Sequence, residues 1–320
     1  MPILIEAELS QFAQDVAEGL SATGQKKIAP RYFYDDLGST LFEAITLLPE
    51  YGLTRADERL LRAHAGDIAR KTGSPRTVAE LGSGSGKKTS LILGAIPQHH
   101  PPFVYRPIDV SAAALTACER EMAGLCEVKP VCSDWLGGLA EIARGRDGQH
   151  PLLLLFLGSS IGNLDRKLIP NFLRNLRSYL LPGDFFLLGA DLVKDVDQMI
   201  AAYDDPTGVT AAFNLNVLGR MNRELQANFD LRTFVHEVRW NSEERRIEMH
   251  LLSCRDQDVF IGALDTKYHF DAGETIWTES SHKFTEEELN QFAQRGGFAT
   301  VATWIDREWP FAETLWQATG

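Results

Sequence analysis

The order of apolar and polar positions changes character twice along this chain. Between Arg76 and Ala190, short apolar runs alternate with amphipathic stretches. They predict strands at 76–81, 104–108, 128–132, 152–157 and 184–190, and helices at 87–96, 111–123, 137–144 and 166–180. That alternation predicts an α/β fold with a parallel, doubly wound sheet. Leu152-Leu153-Leu154-Leu155-Phe156 has no polar alternation, as a central strand covered on both faces requires. Ahead of this block, Leu9, Phe12, Val16 and Leu20 are spaced for one face of a helix over 6–22. Ser39 is placed to cap a short helix through Ile45, and Thr54 to cap a long one over 55–72. Beyond Lys194 the rhythm shifts: 195–228 reads as mainly helical, and 233–240, 246–254, 259–264 and 266–270 read as antiparallel strands. Helix 286–295 and strand 298–305 resume the first style, and a final strand near 314–317 can close an antiparallel hairpin. The expected organisation is a core at 56–194 plus 285–320 and a second, α+β domain at 1–55 plus 195–284, without repeats or low-complexity segments.

The first strand runs into Glu80-Leu81-Gly82-Ser83-Gly84-Ser85-Gly86-Lys87-Lys88. Glycine at every second place lets a ligand lie directly on the backbone, and the carboxyl end of a strand in an open α/β sheet is where nucleotide-like ligands bind. Spacing separates the candidates. A phosphate loop fails, because Leu81 stands where its first glycine belongs and Lys88 where Ser or Thr is needed. The dinucleotide fingerprint fails, because Lys87 occupies its third glycine. What remains, acidic-x-Gly-x-Gly-x-Gly on Glu80, Gly82, Gly84 and Gly86, resembles motif I of the S-adenosylmethionine (SAM)-dependent methyltransferases. The next strand ends in Asp109, whose carboxylate suits a ribose diol. The one after ends in Asp134-Trp135, suited to an adenine amino group and ring face. Either Asp could equally be a helix cap.

Composition narrows the partners. The 320 residues carry a net charge of -12, which argues against a phosphate-backbone partner and against anionic membrane surfaces. No Asn/Asp-Pro-Pro-Tyr/Phe segment of a nucleic-acid methylase is present. The cysteines (Cys118, Cys126, Cys132, Cys254) show no CxxC or zinc spacing, and the histidines no HxH or HExxH pattern, so reduced thiols and no metal site are expected. His99-His100 before Pro101 reads as an exposed loop. With no secretory signal and no apolar run of membrane-spanning length, a cytoplasmic monomer acting on a small molecule is expected.

Four segments place polar groups in aromatic or glycine-rich settings: Tyr34-Asp35 with Leu48-Pro49-Glu50-Tyr51; Phe156 to Leu164; Tyr203-Asp204-Asp205-Pro206 with Thr210 to Asn214; and Thr278 to Phe284. In this order around this motif I, they resemble the histidine-specific Nα-methyltransferases of ergothioneine biosynthesis. The likeness runs from about Tyr32 to Phe284 and is most specific at Phe-Leu-Gly-Ser-Ser-Ile-Gly-Asn-Leu (156–164), Asp191 to Asp195, and Ala202-Tyr203-Asp204-Asp205. The resemblance implies a Rossmann-like class I core with a substrate-binding second domain, and transfer of three methyl groups from SAM to the α-amino group of L-histidine, giving hercynine. It further implies that Asn163 and Tyr203 hold the amino and carboxylate groups, with Gly158 and Ser160 lining the amine. Glu279 and Ser281 would bond the imidazole, with Tyr51 and Met249 against the ring. SAM would fall to Tyr34, Glu80, Gly82, Gly84, Lys88, Asp109, Asp134 and Trp135. Taken alone, Asn163 reads as a helix cap, Glu279 as a solvated charge on an edge strand, and Tyr51, Tyr203 and Met249 as core. Two departures stand out: Gly52, where the family often has a second aromatic, which loosens the expected pocket wall, and His282, in a place often held by cysteine.

The implied chemistry is in-line attack of a neutral amine on an activated methyl carbon, so the protein mainly orients and desolvates. Tyr34 and Asn163 are the catalytic candidates, and Tyr34 or a water the candidate base. The rivals are an Nα-methyltransferase for another amine such as tryptophan, whose indole would be disfavoured by Glu279 and Met249, and a SAM-binding protein without turnover.

Overall fold

The computed structural model describes residues 2–73, 75–97, 103–146 and 148–320, with no side-chain description for residues 2–9. The His99-His100 loop and the Leu9 side chain therefore lie outside the described residues. In chain order the elements are α1 (Pro2–Leu20), β1 (Lys26–Lys27), α2 (Asp36–Thr46), α3 (Gly52–Lys71), β2 (Thr77–Leu81), α4 (Thr89–Ala95), β3 (Val104–Asp109), α5 (Ala112–Glu121), β4 (Glu127–Val128), β5 (Val131–Cys132), α6 (Trp135–Gly145), β6 (Leu152–Phe156) and α7 (Ile169–Ser178). They continue with β7 (Phe185–Asp191), α8 (Val196–Ala201), α9 (Val209–Glu224), β8 (Phe234–Asn241), β9 (Arg246–Ser253), β10 (Gln257–Ile261), β11 (Thr266–Phe270), β12 (Thr275–His282), α10 (Glu286–Gly296), β13 (Phe298–Asp306) and β14 (Phe311–Ala318). They fall into two compact units: the segment ending at Tyr51 with Asp195–Ser281, and Gly52–Lys194 with His282–Gly320.

The second unit is built on one sheet in the order β13-β14-β7-β6-β2-β3-β4, with β5 also on β3. Strands β2 to β7 pair in parallel, whereas β14 runs antiparallel between β7 and β13. Both faces are covered: Leu154, Phe156, Phe186 and Leu188 join one core, and Leu153, Leu155, Leu187 and Leu315 the other. This two-sided burial is why β6 is apolar at every position. The sequence predicts one strand over 128–132, but the chain forms β4 and β5 instead. Pro130 between them has no N–H to give the ladder.

Two caps differ from expectation. Asp35, not Ser39, caps α2, its Oδ1 accepting from the Gly38 amide at 2.7 Å. Helix α3 begins at Gly52, so Thr54 lies inside its first turn. Gly52 itself is dictated by packing, because a Cβ there would meet the Trp309 ring at 2.2 Å. The volume that an aromatic at 52 would occupy is filled by Trp309, so the glycine does not leave a loosened wall.

In the first unit, α1 buries Phe12, Val16 and Leu20, and α9 packs beside a four-stranded sheet ordered β1-β12-β9-β8. Strand β10 pairs with β11 in a separate antiparallel ribbon, which stops at Ile261 rather than continuing to 264. Strand β12 pairs with β9 and, at Ile276 and Trp277, with β1; the solvated-charge alternative for Glu279 does not hold, because its side chain is buried.

Candidate active site

The glycine turn after β2 is shaped by backbone angles that only glycine adopts without strain. Gly82, Gly84 and Gly86 have φ of 66°, 53° and 75°. Gly82 and Ser83 both donate their amides to the Ile108 carbonyl, at 2.8 and 3.2 Å. Gly84 donates to Asp109 Oδ2 at 3.0 Å, and Ser111 to Oδ1 at 2.9 Å, so the carboxylate ending β3 is tied to the turn ending β2. With the Val110 amide bonded as well, the carboxylate still keeps a lone pair for a hydroxyl. Burial pushes the Asp109 carboxyl up, opposed by the Ser111, Gly84 and Val110 amides. A Cβ on Gly84 would meet nothing within 4 Å, so the turn is open on that side. Asp134 caps α6 through the Gly137 amide at 2.7 Å. Trp135 beside it packs edge-on against Phe156 (centroids 4.8 Å) and Phe172 (5.9 Å), with its indole nitrogen 3.2 Å from where a Gly82 Cβ would stand. An open left-handed turn flanked by two carboxylates and an indole offers the hydrogen-bond acceptors and the ring face that a nucleoside-bearing cofactor requires.

Glu80 has a different place. It is buried and accepts hydrogen bonds from Thr89 Oγ1 at 2.7 Å and from the Tyr105 hydroxyl. Burial pushes its carboxyl up to about 7, against those bonds. It braces the first turn of α4 behind the glycines.

The turn after β6 carries the second group. Gly158 (φ 69°) and Ser159 (φ 62°) are both left-handed, and Ser159 Oγ accepts from the Asp191 amide at 2.9 Å. Ser160 to Asn163 form a short 3-10 helix, with Ser160 and Asn163 half-buried; a Cβ on Gly162 would lie 2.9 Å from the His282 carbonyl. The Gly158 amide donates to Asp57 Oδ2 at 3.0 Å, and Lys88 Nζ binds the same oxygen. A Cβ on Gly158 would crowd Lys88 Nζ at 3.2 Å, so the donor-side lysine and the turn assigned to the amine are neighbours.

In the first unit, Tyr51 and Tyr203 are buried and meet edge to face, with centroids 6.0 Å apart. The Tyr203 hydroxyl donates to Ser281 Oγ at 2.7 Å. Glu279 lies between Thr278 and Ser281 on β12, and its carbonyl accepts from the Trp277 indole at 2.9 Å. Met249 is buried on β9, its carbonyl 3.0 Å from Thr278 Oγ1. The Tyr34 ring is gripped edge-on by Phe42 (5.6 Å) and Phe213 (5.8 Å). Tyr51, Tyr203 and Ser281 are thus brought together, with Glu279 and Met249 joined through Thr278. Among the described residues, no group of three or more His, Cys, Asp or Glu could hold a metal ion.

Reading the sequence missed Asp57, Glu313 and His236. Asp57 did carry a signal, a charge on the stripe formed by Leu53, Leu60 and Leu61 of α3. Glu313 and His236 carry none that separates them from solvated residues.

The model of a family described as histidine-specific, SAM-dependent methyltransferases matches residues 12–318. The chain belongs to that family. Among its relatives, the histidine N-alpha-methyltransferase of Mycobacterium tuberculosis (strain CDC 1551 / Oshkosh) is 44% identical over 306 residues, covering 94% of this chain and 93% of that protein. The protein of the same name from Mycolicibacterium smegmatis is 41% identical over 309 residues, again 94% and 93%. Ergothioneine biosynthesis protein 1 of Neurospora crassa is 30% identical over 292 residues, covering 88% of this chain and 32% of that longer protein. The second unit is accordingly the Rossmann-like core of a class I methyltransferase, and the protein is an enzyme that uses SAM. No helix among the described residues is long and apolar enough to cross a membrane.

Proposed function

We propose that this enzyme transfers three methyl groups from SAM to the α-amino group of L-histidine, giving hercynine. The observation that carries the reading is Glu279, a buried carboxylate on β12, the strand that also carries Ser281 of the Tyr203–Ser281 pair. A buried acceptor of this kind suits an imidazole N–H and penalises an indole that cannot supply one in the same place. It favours histidine over tryptophan.

SAM, when bound, supplies a methyl carbon already activated by its sulfonium. In this reading the chain orients the pair. Gly82, Gly84, Lys88, Asp109, Asp134 and Trp135 hold the donor, with Glu80 as a brace. Asn163 and Tyr203 hold the amino and carboxylate groups, Gly158 and Ser160 line the amine, and Tyr51 and Met249 pack on the ring. Tyr34, its ring fixed by two phenylalanines, is the candidate to take up the amine proton, directly or through a water. The same proposal makes the enzyme a cytoplasmic monomer without nucleic-acid or membrane partners, as the net charge of -12 and the four free thiols favour.

The test is to incubate the protein with SAM and each of the twenty amino acids and to read mass shifts. Histidine alone is expected to gain three methyl groups; no gain on histidine sinks the proposal. Glu279→Ala is expected to weaken histidine binding by on the order of 1–3 kcal/mol while SAM binding holds. Equal loss of both would make Glu279 structural.

A further inference from the structure

Behind the Gly158 turn the second unit buries two carboxyl groups that its hydrogen bonds leave incomplete. Asp57 on α3 is 0% exposed; its Oδ2 accepts from Lys88 Nζ and from the Gly158 amide, and its Oδ1 meets no donor among the described residues. Glu313 on β14 is 1% exposed, and neither of its oxygens meets a donor among them. The two converge. Glu313 Oε1 and the Gly158 nitrogen lie 2.7 and 3.3 Å from the same point, where a Cβ on Gly189 would stand.

Two buried carboxylates this close cannot both be ionised, and desolvating a charge without partners is costly. One proton resolves the arrangement. A neutral Glu313 donates its O–H to Asp57 Oδ1, which completes Asp57 and leaves Glu313 one carbonyl-like oxygen. The local charge then balances, Asp57 negative against Lys88 positive. We propose that Glu313 and Asp57 share this proton, and that the pair is a positioning device setting Lys88 and the Gly158 amide together. The groups facing it agree in direction. Burial and the nearby Asp57 hold the Glu313 carboxyl well above its ordinary range, with Glu80 adding to the effect and Lys88 opposing it. Against burial, the Asp57 charge and its hydrogen bond keep Lys88 charged.

The inference rests on the reading above for what Lys88 and Gly158 hold, and its consequence is specific. Ionising Glu313 adds a second buried negative charge that competes with Asp57 for Lys88 Nζ. Both ends of the reaction then loosen, so activity declines on the alkaline side as Glu313 loses its proton. Glu313→Gln keeps a neutral group whose N–H can still donate to Asp57 and cannot ionise.

The experiment uses the full chain. Infrared difference spectra between wild type and E313Q at neutral pH are expected to show a protonated-carboxyl carbonyl stretch, shifted in heavy water and missing from the variant. E313Q is expected to keep kcat within about threefold of wild type and to lack the alkaline decline. D57N, which unties Lys88 and Gly158, is expected to lose on the order of 10²-fold in kcat and to bind SAM more weakly. Absence of the band overturns the shared proton. Loss in E313Q as deep as in D57N overturns it too, since Glu313 would then act as a charge. Should E313Q not fold, a band that persists in Glu80→Gln and disappears with rising pH decides, because Glu80 carries a buried proton of its own. If wild type methylates no histidine, the proposed function fails, while the infrared band and SAM calorimetry still judge the proton.

Discussion

Asn214 fixes the tautomer of His236. Its side-chain nitrogen lies 2.8 Å from His236 Nδ1 and 3.0 Å from the His250 carbonyl, and its oxygen accepts from Thr278 Oγ1 at 2.7 Å. A flipped amide would set oxygen against the His250 carbonyl, so the nitrogen faces both, and Nδ1 must accept. His236 is therefore the Nε2–H form, and that hydrogen goes to the Tyr203 carbonyl at 2.8 Å. One fully buried amide thus links Tyr203, Met249 through Thr278, and the strand that carries Glu279.

Protonating His236 destroys the acceptor that Asn214 needs. Burial lowers its pKa below the ordinary 6.5, with the Tyr203 carbonyl, Asp204 and Asp205 opposing. The unfolded chain therefore binds the proton more readily. The stability held by neutral His236 is complete above pH 6.5 and is lost as pH falls through that value and the lower folded one. His236→Phe is expected to flatten the pH dependence of urea unfolding across that window. An unchanged slope would refute this.

Glu80 acts with the opposite sign. Its carboxyl is pushed up to about 7 in the fold, from 4.5, so the native state holds a proton the unfolded chain releases. Stability declines as pH rises from 4.5 toward 7, by about 3 kcal/mol at 1.36 kcal/mol per unit. Glu80→Gln is expected to remove that decline in thermal melts taken across the range, and to be the more stable protein above pH 7.

Removing the Tyr203 hydroxyl takes away the hydrogen bond it donates to Ser281 Oγ. Tyr203→Phe is expected to raise KM for histidine by about fivefold, in line with roughly 1 kcal/mol for one hydrogen bond, with SAM affinity unchanged. Because the two groups share that bond, Ser281→Ala on top of Tyr203→Phe is expected to cost less than the sum of the two changes. Fully additive kinetics in the double-mutant cycle would show that they act apart.

Gly158 is left-handed with Lys88 Nζ 3.2 Å from its missing Cβ. Gly158→Ala is expected to cost about 1–2 kcal/mol in urea unfolding through backbone strain, and to weaken SAM binding in calorimetry by displacing Lys88. A folded variant with unchanged SAM affinity would separate the turn from the lysine.

What the sequence made legible was local. The alternating core announces itself because each strand and helix writes its own periodicity, and the glycine turn because its spacing excludes other loops. Strand β12 was seen only as a string of polar residues. Thr278, Glu279, Ser281 and His282 are buried, and the elements that cover them lie elsewhere in the chain. Ser39 lost its capping role to Asp35, an equally competent residue one turn earlier. The Asp57–Glu313 pair was invisible for the same reason as β12: each carboxyl reads as a surface charge until the fold sets it beside the other.

The contact between Gly52 and Trp309 carries a consequence for anyone redesigning the enzyme. Position 52 follows directly on Tyr51, so it invites enlargement when a different amine is wanted. A library varying that position alone would score every larger side chain as lethal and record the site as immutable. The restriction belongs to residue 309, whose indole fills the volume while also donating to Asp191 Oδ1 at 3.0 Å. Enlarging 52 calls for a paired exchange that shrinks 309 and supplies Asp191 with another donor.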